Sequence, residues 1–182
     1  MMTIMRSRRE WTLSEAARLL GQPQHRLIYL CEKGAVVPDF GDAQGRGSSR
    51  RFSARNLLEF AVALRLRGLA LPVDAVKAIL HTLRSFEKTV RQEMAAFDIV
   101  DDLRKPGAAE LRVLVAEGPR IYFALAAYGK EPRLFGGLEL PKRASRRRQG
   151  LPELDAKTAQ PEVQAKVEVN VTDVAKALNL GA

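Results

Sequence analysis

Residues 12–34 read TLSEAARLLGQPQHRLIYLCEKG. Thr12 stands three residues before Glu15, which is the spacing of a helix capping box, and the apolar residues after it fall on one helical face. Gly21 suits the left-handed position that ends a helix. This half of the stretch therefore predicts a helix of about two turns.

The second half predicts another helix, over residues 23–33, with a polar outer face. Pro23 fits its first turn and Gly34 ends it. At helical spacing its apolar side chains turn inward, namely Leu27, Leu30 and Cys31. The side chains left to point outward are mostly polar or basic: Gln24, His25, Arg26 and Tyr29. Two short helices joined by a tight turn are thus expected.

A hairpin is predicted next, over residues 36–53. Its two ends are apolar and its middle is rich in glycine, which is the composition of a hairpin tip. Three arginines belong to it: Arg46, Arg50 and Arg51. Ser53 can then cap a third helix that Gly68 ends, and Pro72 opens a fourth.

The order of these segments resembles the winged helix-turn-helix of the MerR family of transcription regulators. The resemblance covers about the first half of the chain, and the matching runs are residues 13–17, 27–29, 32–34 with Pro38, 50–53, and 64–71. It implies a dimeric protein that sets residues 23–33 in the major groove of duplex DNA, with residues 36–53 as the wing. Gln24, His25, Arg26, Tyr29, Arg46, Arg50 and Arg51 are the predicted DNA contacts.

Two positions depart from the family pattern. The second helix usually carries an arginine followed by two tyrosines, whereas this chain has Ile28, Tyr29 and Leu30. One expected phosphate contact is therefore missing, and His25 stands close enough in sequence to compensate together with its neighbour Arg26. The usual tyrosine of the wing's last strand is Phe52, which keeps the packing and loses a hydroxyl. Both changes bear on DNA affinity and sequence preference.

The fourth helix carries a long apolar stripe. Its members step by three and four residues, with the last one a heptad further on: Val76, Ile79, Leu83, Phe86, Val90 and Phe97. We interpret residues 72–97 as a dimer helix, because about 25 helical residues reach roughly 37 Å, further than a four-helix winged domain extends. The alternative is that the stripe packs on the chain's own domain.

Beyond the stripe the period changes, and residues 98–140 predict a small β-rich region. A hairpin and a third strand are indicated there, with nearly continuous apolar residues that require a covering layer. Residues 141–162 form a basic linker. Residues 163–182 predict a strand and a short helix, and we place this strand back on the sheet.

Four aromatic residues of the β-rich region could form the walls of a small-molecule effector site: Tyr122, Phe123, Tyr128 and Phe135. The alternative, which we favour, is that they are core residues of the sheet. A third interpretation makes the sheet a docking surface for a protein partner.

Composition agrees with a DNA-binding protein. The 182 residues carry a net charge of +9, and the basic excess lies in residues 1–90 and 141–162. A single cysteine allows no intrachain disulfide and fits the cytoplasm, and no apolar run reaches the roughly 18 residues of a membrane span.

Enzyme chemistry has no residue pattern behind it. His25 and His81 are the two histidines of the chain, and neither has a carboxylate placed beside it by sequence spacing. There is no phosphate-binding loop, zinc-ligand spacing or nucleophile elbow. We predict a protein that is not an enzyme and that uses no cofactor and no metal.

The predicted fold is α+β. It consists of a winged helix-turn-helix domain over residues 1–71, the helix 72–97, the β-rich region 98–140, the linker 141–162 and the terminal strand and helix 163–182. The predicted function is sequence-specific regulation of transcription by a homodimer on duplex DNA. The alternative is an architectural or adaptor protein, such as a recombination accessory factor or a docking module, that uses the winged domain without strong sequence specificity.

Overall fold

The fold mixes helices with one antiparallel sheet. A computed structural model describes residues 10–40, 50–116, 120–127, 133–139, 153–154, 166–178 and 180. Its helices are α1 (Leu13–Leu19), α2 (Gln24–Glu32), α3 (Ala54–Gly68), α4 (Val73–Glu93), α5 (Ile99–Arg104) and α6 (Val171–Ala177). Its strands are β1 (Ala109–Ala116), β2 (Arg120–Ala127), β3 (Arg133–Glu139), β4 (Glu153–Leu154) and β5 (Lys166–Asn170). The predicted α+β class, with helices first and a small sheet after the long helix, is confirmed.

The helices begin and end with local hydrogen bonds. Thr12 and Glu15 form the predicted capping box of α1, and Ser53 caps α3 by accepting a hydrogen bond from the backbone of Asn56. Gly21 and Gly34 have φ values of +59° and +65°, and each lies two residues after the last residue of its helix, α1 or α2. In this left-handed region a side chain crowds the backbone, so glycine is the favoured residue.

The end of α3 differs from the other two. Gly68 is its last helical residue, and the left-handed position falls two residues later, as it does after α1 and α2, but here the residue is Ala70, whose φ is +62°. The backbone N–H groups of Ala70 and Leu71 donate to the carbonyls of Arg67 and Leu66 at 3.0 and 3.2 Å. This is a Schellman motif with alanine where the other two helices have glycine.

The sheet has the strand order β4-β3-β2-β1-β5, with antiparallel neighbours throughout. β1 therefore lies between its hairpin partner β2 and the late strand β5. Val113 of β1 is opposite Phe123 on one side and Val169 on the other. The terminal strand thus completes the sheet beside β1.

Helices cover one face of this sheet. Phe86 of α4 stacks on Phe123 with ring centroids 5.4 Å apart and meets the edge of Phe135 at 5.1 Å. Nearer the start of β1, the backbone N–H of Leu111 donates to the hydroxyl of Thr172 in α6 at 2.8 Å. The buried side chains form one hydrophobic cluster that runs from α1 to the residues after α6.

The apolar stripe of α4 is covered within a single chain. Val76, Ile79, Leu83, Phe86, Val90 and Phe97 are each at most 6% exposed. The helix stops at Glu93, and Phe97 lies in the connection to α5, where its carbonyl accepts a hydrogen bond from Arg91 at 2.8 Å. The stripe thus already has a partner layer in this chain, and its role between subunits stays a prediction.

Candidate nucleic-acid interface

The helix α2 presents its polar face to solvent because its apolar side chains are anchored in the core. Leu27 and Leu30 are at most 2% exposed and share the hydrophobic cluster with Ala16 and Ala17 of α1. Pro23 precedes the first turn, and the left-handed Gly34 ends the helix. The orientation of α2 is therefore fixed by α1.

The predicted DNA contacts of α2 all lie on its accessible side. Gln24, His25 and Arg26 are exposed, and Tyr29 is 39% exposed. Arg26 donates a hydrogen bond of 3.0 Å to the side chain of Gln22 in the preceding turn. Tyr29 is therefore accessible to solvent and not a buried core residue.

Three further residues belong to the accessible side of α2. Ile28, where the family usually has arginine, is 37% exposed and thus places an aliphatic group on this surface. Lys33 is exposed, and its ammonium group lies 5.7 Å from the ring centroid of Tyr29. Glu32 is also exposed and adds a negative charge. Lys33 belongs to a run that matches the family pattern, but it was not among the predicted DNA contacts, and it follows the last helical residue of α2.

The base of the predicted hairpin is a pair of backbone ladders. Phe40 and Arg51 exchange hydrogen bonds of 3.3 and 3.1 Å, while Phe52 and Trp11 exchange hydrogen bonds of 2.9 and 3.0 Å. Arg51 therefore pairs with Phe40, and the next residue, Phe52, pairs with Trp11. Arg46 and the rest of residues 41–49 lie outside the described part of the chain.

Arg50 of the hairpin base lies near the end of α2. The positive charge of its guanidinium acts on the thiol of Cys31, in the last turn of α2, and lowers the pKa of that thiol. Burial nevertheless raises the pKa of Cys31 to about 11, since desolvation outweighs the nearby guanidinium. The thiol is thus protonated at neutral pH. Arg50 itself remains exposed at the junction of the two predicted DNA-binding elements.

Arg51 sits near the start of α1. The pKa of Glu15 is lowered, first by its hydrogen bond from the backbone of Thr12 and further by the positive charge of Arg51. Arg51 is half-buried, in contrast to Arg50. The two arginines of the hairpin base therefore face an α2 residue and an α1 residue, respectively.

Residues 11–83 match the family model described as "MerR HTH family regulatory protein". The N-terminal domain is of the MerR family. The match covers α1, α2, the hairpin, α3 and the first half of α4. Among curated proteins, none matches the chain.

Membership of this domain in the MerR family establishes a DNA-binding domain of the transcription-regulator type.

The sequence did not predict one group of residues next to the candidate interface, because these residues are far apart in the chain. Asn56, Glu59 and Arg84 form a polar cluster behind the hairpin, and no local pattern brings α3 and α4 together at these positions. The one signal available was a charged residue, Glu59, between the apolar residues Leu58 and Phe60 of α3.

The aromatic residues of the predicted effector site lie in different surroundings. Phe123 and Phe135 are at most 3% exposed and pack on Phe86. Tyr122 is 6% exposed and, being next to Phe123 in β2, points to the opposite face of the sheet. Tyr128 lies outside the described residues. A small-molecule effector or a protein partner at the sheet stays a prediction.

Within residues 10–40, 50–116 and the other described segments, no group of three or more His, Cys, Asp or Glu side chains is arranged to hold a metal ion. The same described segments contain no helix with the length and apolar character needed to cross a membrane.

Proposed function

We propose that this protein is a sequence-specific, cytoplasmic transcription regulator that binds duplex DNA as a homodimer. In this proposal α2 enters the major groove and the hairpin 36–53 lies against the DNA backbone as the wing. The observation that carries the proposal is the geometry of the MerR domain. Its α2 exposes a polar face, and the exposed Arg50 adjoins the end of that same helix.

The side chains on this surface have complementary uses. Glutamine can bind the edge of adenine through two hydrogen bonds, and arginine can do the same with guanine, so Gln24 and Arg26 are suited to base recognition. Arg50, Arg51 and Tyr29 are suited to phosphate oxygens, which fix the position of α2 without specifying sequence. Arg46 of the wing is assigned to the phosphates on the sequence pattern alone.

The homodimer is part of the proposal because a two-fold symmetric protein recognises two related half-sites on one face of the duplex. The contact suggested by the sequence is the stripe of α4. Since the structure buries that stripe within one chain, we propose the dimer without assigning the surface that joins the subunits.

The test is selection from a pool of random duplexes, with binding measured over a range of salt concentrations. We expect an enriched motif with two related half-sites and an affinity that falls steeply as salt rises. Absence of binding at about 50 mM salt would overturn the proposal. Salt-sensitive binding without an enriched motif would favour an architectural or adaptor role.

A pair of variants assigns the binding surface. The double variant Arg50→Ala/Arg51→Ala is expected to reduce the salt dependence by about 0.9 per lost phosphate contact. Arg65→Ala/Arg120→Ala is the matched control, because it removes the same charge from two exposed positions on α3 and β2. Equal losses from both double variants would mean that net charge alone, and not the hairpin base, governs the affinity.

A further inference from the structure

A buried polar cluster lies behind the hairpin, and Asn56 is its centre. Asn56 is 0% exposed, in the first turn of α3. Its Oδ1 accepts hydrogen bonds from the backbone N–H groups of Asp39 at 2.9 Å and Ser53 at 3.2 Å. Its Nδ2 donates to the carbonyl of Val37 at 2.9 Å and to Glu59 at 3.1 Å. Every donor and acceptor of this amide group is therefore used.

Arg84 joins the cluster from α4. Its Nη2 donates to Glu59 Oε2 at 2.6 Å and to the carbonyl of Val37 at 3.0 Å, and its Nε donates to Glu59 Oε1. The carboxylate of Asp39 lies 3.7 Å from Arg84 Nη2. The Val37 carbonyl thus accepts hydrogen bonds from both α3 and α4, and Arg84 supplies the positive charge that faces the buried Glu59.

The cluster holds both arms of the hairpin. Val37 and Asp39 belong to the arm that leads into Phe40, and Ser53 belongs to the arm that leaves Arg51. The Ser53 hydroxyl also hydrogen-bonds with the Asp39 carboxylate, so that the two arms are joined directly. Each arm is therefore fixed within two residues of the Phe40 and Arg51 backbone ladder.

We propose that Asn56 and Arg84 are positioning residues for DNA binding, which hold the hairpin so that Arg50 and Arg51 are pre-arranged for phosphate oxygens. This inference rests on the proposed function. A binding segment that is already ordered loses less conformational freedom on association, so its contacts yield more affinity. Arg84 lies just beyond residues 11–83, the part matched by the family model.

A second ion pair across the same two helices provides a matched control. Arg55 Nη2 of α3 lies 2.6 Å from Glu87 Oε2 of α4, with Glu87 buried and also 3.0 Å from Arg91. The two pairs have opposite polarity, since α3 supplies the acid in one and the base in the other. Among the described residues, the ion-pair partners of Glu87 are Arg55 and Arg91, and neither belongs to the hairpin.

The experiment compares Arg84→Gln with Arg55→Gln in the full chain, with Arg84→Lys as the conservative variant. Amide hydrogen exchange of Phe40 and Arg51 is measured in the free protein. We expect exchange at these two amides to accelerate on the order of tenfold in Arg84→Gln, partly recover in Arg84→Lys and stay unchanged in Arg55→Gln. Equal acceleration in Arg84→Gln and Arg55→Gln, or none in Arg84→Gln, would overturn the proposal.

DNA affinity is then measured on the selected duplex, below the melting temperature of each variant. Arg84→Gln is expected to weaken binding on the order of tenfold in the wild-type background. The same change should have little effect in the Arg50→Ala/Arg51→Ala background, because the groups that it positions are gone. An equal loss in both backgrounds would assign Arg84 a general structural role and overturn the proposal.

The exchange measurement also separates the two proposals. A wild-type protein that ignores DNA would refute the proposed function and with it the role of the cluster in DNA binding. Accelerated exchange in Arg84→Gln would then show only that the cluster fixes the hairpin. A protein that binds DNA while Arg84→Gln exchanges and binds like the wild type would refute the positioning role alone.

Discussion

The hairpin and the sheet are both attached to α4, but by different chemistry. On the sheet side, Phe86 makes apolar and aromatic contacts with Phe123 and Phe135. On the hairpin side, Arg84 makes charged hydrogen bonds to Glu59 and to the backbone of Val37. Burial of apolar surface contributes strongly to stability and does not depend on direction, whereas a hydrogen bond requires a particular distance and angle. The difference indicates that the sheet side of α4 mainly stabilises the fold, whereas the hairpin side mainly holds the hairpin in place.

The largest effect should come from breaking the apolar side. Phe86→Ala removes a fully buried ring from the contact between α4 and the sheet, so we expect the free energy of unfolding to fall by about 3–5 kcal/mol. Chemical denaturation measures this loss, with the exposed neighbour Ser85→Ala as control. We expect the same loss at low and high protein concentration, because the ring is covered within one chain.

The same variant tests the stripe as a subunit contact. If Phe86 and its neighbours in the stripe joined two chains, the deficit of Phe86→Ala would change on dilution, whereas a dimer joined elsewhere would leave that deficit unchanged. A deficit that changes on dilution would assign the stripe to the dimer and require the sheet to be displaced from α4.

A smaller, pH-dependent effect should come from the charged side. Arg84→Gln leaves Glu59 buried without its cation, and since the Arg84 side chain is itself 30% exposed we expect a loss of about 2–3 kcal/mol near neutral pH. Glu59→Gln should cost less, about 1 kcal/mol, because Arg84 can turn toward water. Denaturation at several pH values measures both variants.

The sign of the pH dependence follows from the carboxyl group of Glu59. Burial raises its pKa above 4.5, and Asp39 adds to the rise while hydrogen bonds from Arg84 and Asn56 oppose it. The folded state therefore keeps a proton that the unfolded chain releases, so this stabilising contribution is complete below pH 4.5 and is lost as pH rises through the folded-state pKa. The deficit of Arg84→Gln relative to Glu59→Gln should shrink as pH falls from neutral toward that range. A deficit that grows on acidification would contradict this account.

The smallest effect should come from a substitution in the connection between α3 and α4. Ala70 occupies a left-handed position where Gly21 and Gly34 stand after the first two helices. Ala70→Gly relieves this strain but frees the unfolded chain, so a net gain of about 0.5–1 kcal/mol is expected in thermal denaturation. Gly21→Ala is the converse change, at a position where an added Cβ meets no atom within 4 Å, and it should be destabilising. A destabilised Ala70→Gly would contradict the strain argument.

Local chemistry explains which parts of the fold the sequence predicts. Thr12 with Glu15, and Gly21 and Gly34, fix the ends of α1 and α2 through hydrogen bonds within a few residues, so their pattern is visible in the sequence. α5 was missed because it is only six residues long and is started by the side chain of Asp98 in a region whose apolar pattern indicates strands. The spacing of the α4 stripe identifies an apolar face but not the surface that covers it.

The residues of the candidate site also divide into those that the sequence predicts and those that it does not. The exposed side of α2 follows from helical periodicity, so Gln24, His25 and Arg26 could be placed on it without a structure. The cluster at Asn56 could not, because the hydrogen bonds that bring Val37, Asp39 and Arg84 into it join residues from 17 to 47 positions apart in the chain. Hydrogen bonds of that span depend on the tertiary packing of α3 and α4, which no local signal encodes.

The placement of β5 has a consequence for the time course of folding. β1 pairs on one side with β2, which begins four residues after β1 ends, but on its other side with residues 166–170, whose paired residues lie 50 to 58 positions later. Closing so long a loop costs entropy before the new contacts repay it, so the β1–β5 ladder belongs to the slow, non-local part of folding. The MerR domain, built from neighbouring helices and one hairpin, can order early. During synthesis it would be ready first, while the centre of the sheet stays open on one side until β5 has left the ribosome.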